Sequence, residues 1–298
     1  MINKSEKPDV FTKTPERPGE FRRVFRILLS RGLTVFGLFI VLALLITAIF
    51  APQIAPYDPY EQNLRNSLAT PSSQHLLGTD ALGRDTLSRM IFGARTALMV
   101  GMIATGIAAI VGIAMGLVAG YFGGWVHAII MRFVDTLMAF PFLVLALLLA
   151  VLLGGGLHNI MIAVGFGLSS QYARVACGMA LSVKQNDYVL AARAIGAGNL
   201  RIMMRHVLIN IFPPMIVLIT LNFGGAISIE AALSYLGIGI EPPGAAWGSM
   251  VKDGYRYLIS NPILALVPGV AIMLVVYAFN MVGDGLRDAL DPRLRGTL

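Results

Sequence analysis

Hydrophobic and polar positions alternate along this chain in long blocks, and the blocks predict helices that cross a membrane. Leu33 to Phe50 is an uncharged apolar run close to the ~20 residues needed to cross a bilayer. Thr96 to Met131 carries no formal charge and suits one long span with a turn at Tyr121 to Trp125. Thr136 to Ala173 is uncharged for longer than one span requires, and Gly154-Gly155-Gly156 with His158 and Asn159 divides it into two. Phe212 to Ile240 and Pro262 to Val282 complete a set of six predicted spans. Within the second run Gly112, Gly116, Gly120 and Gly124 recur every fourth residue, which sets them on one helix face and predicts close helix packing, not phosphate binding.

Polar blocks separate these runs. Met1 to Arg31 reads as a basic tail ending in the amphipathic stretch FRRVFRILL. A signal peptide is the competing reading of the first apolar run, but the charged region is long, Ile49 and Ala51 make a poor small-x-small pair and Pro52 comes at once, so a retained span is expected. Residues 52–95 are polar and nearly charge-balanced, and residues 241–261 form a second, smaller polar segment. Residues 184–211 are the most informative block. Tyr188, Ala191, Ala192 and Ile195 predict a short helix with a smooth outward face, Gly196 and Gly198 a corner, and Leu200, Met203, Met204 and Val207 the apolar stripe of a second helix. An amphipathic loop lying on the membrane surface is the alternative, favoured by Arg193, Arg201 and Arg205.

Composition agrees with a polytopic membrane protein: 56% of the 298 residues are hydrophobic and 13% charged, against about one-quarter charged in soluble domains. The net charge of +7 is not gathered in an aromatic-rich patch, so no nucleic-acid partner is expected. With an odd number of spans between them, the residue 52–95 and 241–261 segments fall opposite the tails and the island, and 17 of the 23 Lys and Arg lie on the side of the island. The positive-inside rule therefore predicts cytoplasmic termini. Cys177, the one cysteine, excludes an internal disulfide, and the four histidines lack metal-ligand spacing. There is no HExxH and no GxxxxGK[ST], so neither a metal nor a cofactor is expected in this chain and no enzymatic role is read.

Several stretches carry a family resemblance. Ala191-Ala192, Gly196 and His206-Val207-Leu208 resemble the EAA loop of permease subunits of binding-protein-dependent ABC importers, with Leu190 where that family usually has Glu and Ile209 where it usually has Pro. HLLGTDALGRDTLSRMIFGARTAL (His75–Leu98), ISIEAALSYLGIGIEPPGAAWG and the terminal FNMVGDGLRDALDPRLRG resemble the dipeptide and oligopeptide branch, with Tyr235 in place of Phe. The resemblance to this branch, as the second, C-type permease of its pair, implies an all-α, type I importer permease fold with six transmembrane helices. It implies partners: a second homologous permease, two P-loop ATPases that bind the ATP, an external substrate-binding protein and membrane lipid. It implies the divisions 1–31 cytoplasmic tail, 32–51 first helix, 52–95 external segment, 96–283 permease core with coupling loop 184–211, and 284–298 cytoplasmic tail.

Candidate site residues come from the same match. Ala191, Ala192, Arg193, Gly196 and Leu208 would form the ATPase-coupling loop. Glu230, Ser234 and Tyr235 would lie beside the translocation path, although Glu230 reads equally well as an acid near the outer interface, solvated or bonded to Ser228 or Ser234. Asp80, Arg84 and Asp85 would cap the outer face, more readily as a structural ion-pair cluster than as a substrate contact. The implied substrates are peptides or related solutes such as glutathione, opines or nickel complexes. An ion-gradient-driven secondary transporter is the main alternative, though clear sequence halves are lacking. A membrane-embedded assembly subunit is another, for which a polar coupling island has no use.

Overall fold

The computed structural model describes residues 20–240 and 243–290; the first 19 residues of the basic tail, Glu241 and Pro242 of the branch signature, and the last eight residues lie outside them. The chain enters through α1 (Glu20–Ser30), turns once and continues as α2 (Gly32–Ile49), with a single further turn in α3 (Ala51–Ile54). After a long loop comes α4 (Thr86–Phe122), then α5 (Gly124–Met138), α6 (Phe142–Leu152) and α7 (Gly156–Val183). The island is α8 (Asp187–Ala194) and α9 (Asn199–Ile202), joined through a π-helical segment (Met203–Leu208) to α10 (Ile209–Leu236). Finally α11 (Trp247–Tyr255) lies across one end, and α12 (Ile263–Leu290) returns to the other.

Among the described residues five helices are long and apolar enough to cross a bilayer: α2, α4, α7, α12 and the stretch Asn199–Leu236. The sixth span is the departure from the sequence reading. In place of a straight helix beginning near Thr136, α5 and α6 form a pair bent by 95°. The cause is local, because Pro141 lacks an amide proton, its ring pushes Phe140 out of helical geometry, and the 11 residues of α6 are too few to cross alone. Arg132 and Asp135 lie within α5, and Asp135 forms an ion pair with Arg174 of α7. Helix α7 itself runs through Arg174 to Val183 without a break.

The glycine row explains the central packing. An added Cβ at Gly112 would meet the Ser169 carbonyl oxygen at 2.4 Å, at Gly116 that of Ala173 at 2.3 Å, and at Gly120 that of Cys177 at 2.7 Å. Thus α4 and α7 touch backbone to backbone along three turns. Gly124 leaves this row, since it lies at the α4–α5 turn with φ +52° and nothing within 4 Å of its Cβ position. At 37 residues α4 is roughly 55 Å long, well beyond a ~30 Å hydrocarbon core. It starts ten residues before the uncharged run because Asp85 caps it, accepting from the Ser88 backbone amide at 2.8 Å. Around this pair, α10 packs on α12, α12 on α2 and α11 across α12 and α10. At the end where α12 stops, Arg23 donates to the Ala289 carbonyl at 3.1 Å and Arg31 pairs with Asp288.

Candidate functional site

The island folds into a helix corner. The Gly196 amide donates to the Arg193 carbonyl at 3.0 Å and the Ala197 amide to the Ala192 carbonyl at 3.0 Å, a Schellman ending that requires a left-handed residue at Gly196, whose φ is +85°. Ala191 and Gly196 are exposed, as are Tyr188, Leu190 and Leu200, and Ile195 is 87% exposed. Ala192, expected on the outward face, is buried instead, because Val189 and Ala192 form the edge of α8 that packs inward. The second stripe also divides: Met203 and Val207 are buried with Ile202 against Leu117, Ala176 and Ala180, while Leu200 and Met204 face out and Leu208 is half-buried.

Two contacts fix this corner to the end of α4, and a third ties the end of α4 to the end of α7, from which the chain enters the corner. Lys184 Nζ donates to the Gly120 carbonyl at 2.7 Å, where its charge meets the negative end of α4. The Tyr121 hydroxyl donates to Asn199 Oδ1 at 2.8 Å, and the Arg193 guanidinium lies 5.9 Å from the Tyr121 ring centroid. Any displacement of the corner is thereby felt by α4 and α7 together. Sequence reasoning singled out Arg193 but missed Lys184, Tyr121 and Asn199, whose partners are distant in the chain.

At the opposite end, Asp80, Arg84 and Asp85 do form a cluster. Asp80 Oδ2 accepts from Arg84 Nε at 2.7 Å and lies 3.5 Å from Arg89 Nε, while its Oδ1 accepts from the Leu82 and Arg84 amides at 2.9 and 3.0 Å. Asp85, besides capping α4, lies 2.9 Å from His75 Nδ1. Arg89, which the sequence reading passed over, reaches furthest: it donates to the carbonyls of Pro59, Pro243 and Gly244 at 3.2 to 3.4 Å, tying three segments together. Trp247 adds a second tie through Nε1 to the Met90 carbonyl at 3.0 Å, its ring filling the place where Gly93 has no side chain.

Glu230 is 2% exposed and accepts from Ser234 Oγ at 2.6 Å, which selects hydrogen bonding to Ser234 over solvation. Both are buried on the flank of α10 that meets the start of α11, where Gly248 packs against Ala231. Tyr235 is 40% exposed. A cavity that opens among the spans lies elsewhere. It holds about 560 Å³ and is walled by the α5–α6 bend (Met138, Phe140, Phe142), by Leu168, Ser170 and Gln171 of α7, and by Asn222, Ser228 and Ile229 of α10. Neither Glu230 nor Ser234 lines it. Among the described residues no group of three His, Cys, Asp or Glu side chains gathers to hold a metal.

With this geometry in place, comparison with known proteins identifies the lineage. Residues 112–296 match the family described as the binding-protein-dependent transport system inner membrane component, and residues 19–71 match the N-terminal TM domain of oligopeptide transport permease C. A dipeptide transport system permease protein of Alkalihalophilus pseudofirmus is 41% identical over 92% of this chain and 90% of its own length. A di/tripeptide transport system permease protein of Pseudomonas aeruginosa is 43% identical over 87% and 88%, and a glutathione transport system permease protein of Escherichia coli 40% identical over 97% and 94%. The inward-facing MetNI methionine ABC transporter superposes at a TM-score of 0.55 and 18% identity over 68% of this chain and 97% of its own, a likeness of fold. These relatives are transport subunits and give no support to the ion-gradient alternative. The chain belongs to the inner-membrane permease family of binding-protein-dependent ABC importers, within its dipeptide and oligopeptide permease C branch.

Proposed function

We propose that this chain is one permease half of an ATP-driven importer of short peptides or related small solutes, paired with a second homologous permease and driven by two separate P-loop ATPases. The observation that carries the reading is the exposed Gly196 corner, clamped to the ends of α4 and α7 by Lys184, Tyr121, Asn199 and Arg193. Ala191 and Gly196 present small surface, Ile195, Leu190 and Leu200 apolar surface, suited to a groove on an ATPase. Buried Ala192 and half-buried Leu208 act from below, by seating the corner on the helix bundle. ATP binding belongs to the partners, because this sequence has no phosphate-cradling glycine loop. The island and both termini lie in the cytoplasm, where the basic residues concentrate.

At the external face the Asp80–Arg84–Asp85 cluster holds the residue 52–85 segment as a rigid cap over α4, offering a fixed surface to the binding protein. Glu230 and Ser234 brace the outer half of α10; of the three residues assigned to the path, Tyr235 alone offers exposed surface to a solute in transit. The peptide substrate class is supported by the names of the dipeptide, di/tripeptide and glutathione relatives.

Gly196→Asp tests the coupling role. Asp tolerates left-handed backbone better than most residues, and its Cβ would enter open space, so the chain should still fold. The charge, however, would stand at the corner. In the complete transporter this variant should reach the membrane and lose solute uptake, with the ATPases uncoupled or released on purification. Normal uptake would overturn the coupling role.

A further inference from the structure

The cavity behind the α5–α6 bend contains two carboxamides where a bilayer allows none to go unpartnered. Gln171 stands near the midpoint of the 28-residue α7 and Asn222 near that of the 28-residue α10, each about 20 Å from its helix ends. Both line the same cavity, with Ser170 and Ser228 beside them. Asn222 donates through Nδ2 to the Leu218 carbonyl of its own helix at 3.1 Å, which spends one of the hydrogen bonds its carboxamide can make. Gln171 is exposed, and among the described residues no partner takes its carboxamide. An amide group facing hydrocarbon loses its hydrogen bonds to water without replacement, so this face must meet water or a polar ligand.

We infer that Gln171 and Asn222 form a main-chain-reading station on the translocation path, binding the peptide units of a short peptide in transit. The inference rests on the importer reading above and adds a site and a mode of recognition to it. A carboxamide donates and accepts, as a peptide unit does, so the pair matches any residue sequence. Apart from Ser170 and Ser228 the rest of the wall is apolar, and none of it is charged, which leaves side chains of the cargo largely unselected. Both signs of charge stand immediately beside the cavity: the half-exposed Asp135–Arg174 ion pair lies one turn from Gln171 toward the island, with Arg174 Nε 3.1 Å from Met138 Sδ in the cavity wall. It offers an acid to an α-amino group and a guanidinium to an α-carboxylate.

The test uses the complete transporter in proteoliposomes, with sister permease, ATPases and binding protein. Cys177 is replaced in a Cys177→Ala background, and Gln171→Cys, Asn222→Cys or Ile110→Cys is added singly. Ile110 is 75% exposed on α4 and serves as the apolar comparison. The probe is a charged, membrane-impermeant methanethiosulfonate applied from either side. The two cavity positions should react at least about tenfold faster than Ile110→Cys, and more slowly while dialanine is being transported. Separately, Gln171→Leu and Asn222→Leu should each lower dialanine uptake about tenfold, the equivalent of one hydrogen bond to the cargo, with ATP hydrolysis still stimulated by loaded binding protein. If the wild type imports dialanine but the cavity cysteines react no faster than Ile110→Cys, or both Leu variants transport normally, this station is overturned and the importer reading stands. If the wild type imports no peptide, the peptide reading falls, and the station with it.

Discussion

Replacing Gly116 by Ala should weaken the molecule although it adds a single methyl group. The new Cβ would lie 2.3 Å from the Ala173 carbonyl oxygen and 2.8 Å from both the Ala176 Cβ and the Cys177 amide nitrogen. Two of these atoms are helix backbone and none is the end of a flexible side chain, so relief requires α4 and α7 to separate. Helix propensity works the other way, favouring Ala by up to about 1 kcal/mol, while overpacking a filled site costs about 1–3 kcal/mol. A net loss of about 1–2 kcal/mol is expected. Gly106→Ala on the same helix is the control, because nothing lies within 4 Å of its Cβ position; it should be neutral or slightly stabilising. The assay is reversible unfolding of the purified chain in mixed micelles of a mild detergent and increasing dodecyl sulfate, monitored by circular dichroism. Equal stability of Gly116→Ala and Gly106→Ala would refute the argument that backbone contact along the glycine row holds these helices together.

The other predictions concern the two ends. Asp85→Ala removes the cap of α4 and the partner of His75, and should cost about 1–2 kcal/mol in the same unfolding assay. Asp80→Asn weakens the contacts to Arg84 and Arg89 and should loosen the external segment, read as faster proteolysis between residues 52 and 85 with α4 itself intact. Trp247→Phe loses the bond to the Met90 carbonyl and should cost about 1 kcal/mol, measurable in the same micelles. Tyr121→Phe breaks the tie to Asn199; ATP hydrolysis in the full transporter should become less dependent on loaded binding protein, with little change in unfolding.

Much of this was legible in the sequence because bilayers impose strong patterns. Long uncharged runs located α2, α7, α10 and α12, and the four-residue spacing of Gly112, Gly116 and Gly120 foretold a close helix contact before its partner was known. The Gly196 corner was legible too, since an apolar stripe, a glycine and a new stripe come in order. What failed to show was orientation within a short helix: Ala191 and Ala192 are indistinguishable by type, and only packing under Val189 decides that Ala192 faces inward. The α5–α6 bend was hidden because Pro141 sits within a run apolar on both sides, so hydropathy continues where the helix axis does not. Lys184, Arg89 and Asn222 were missed for a third reason: each acts on a backbone carbonyl or a cavity, and neither leaves a pattern in neighbouring residues.

The π-helical segment Met203–Leu208 sets the rotational phase between the corner and α10. Such a segment accommodates one residue more than an α-helix would, and each residue of an α-helix turns the chain by about 100°. Pro213 and Pro214 come soon after, withholding amide protons from the Ile209 and Asn210 carbonyls, so the stretch has little to resist rewinding. Deleting one residue there would swing every side chain of α10, Asn222 included, by about 100° relative to Gly196. The corner and the cavity wall are therefore linked as parts of one screw, and the register of six residues determines which face of α10 is turned toward the cavity.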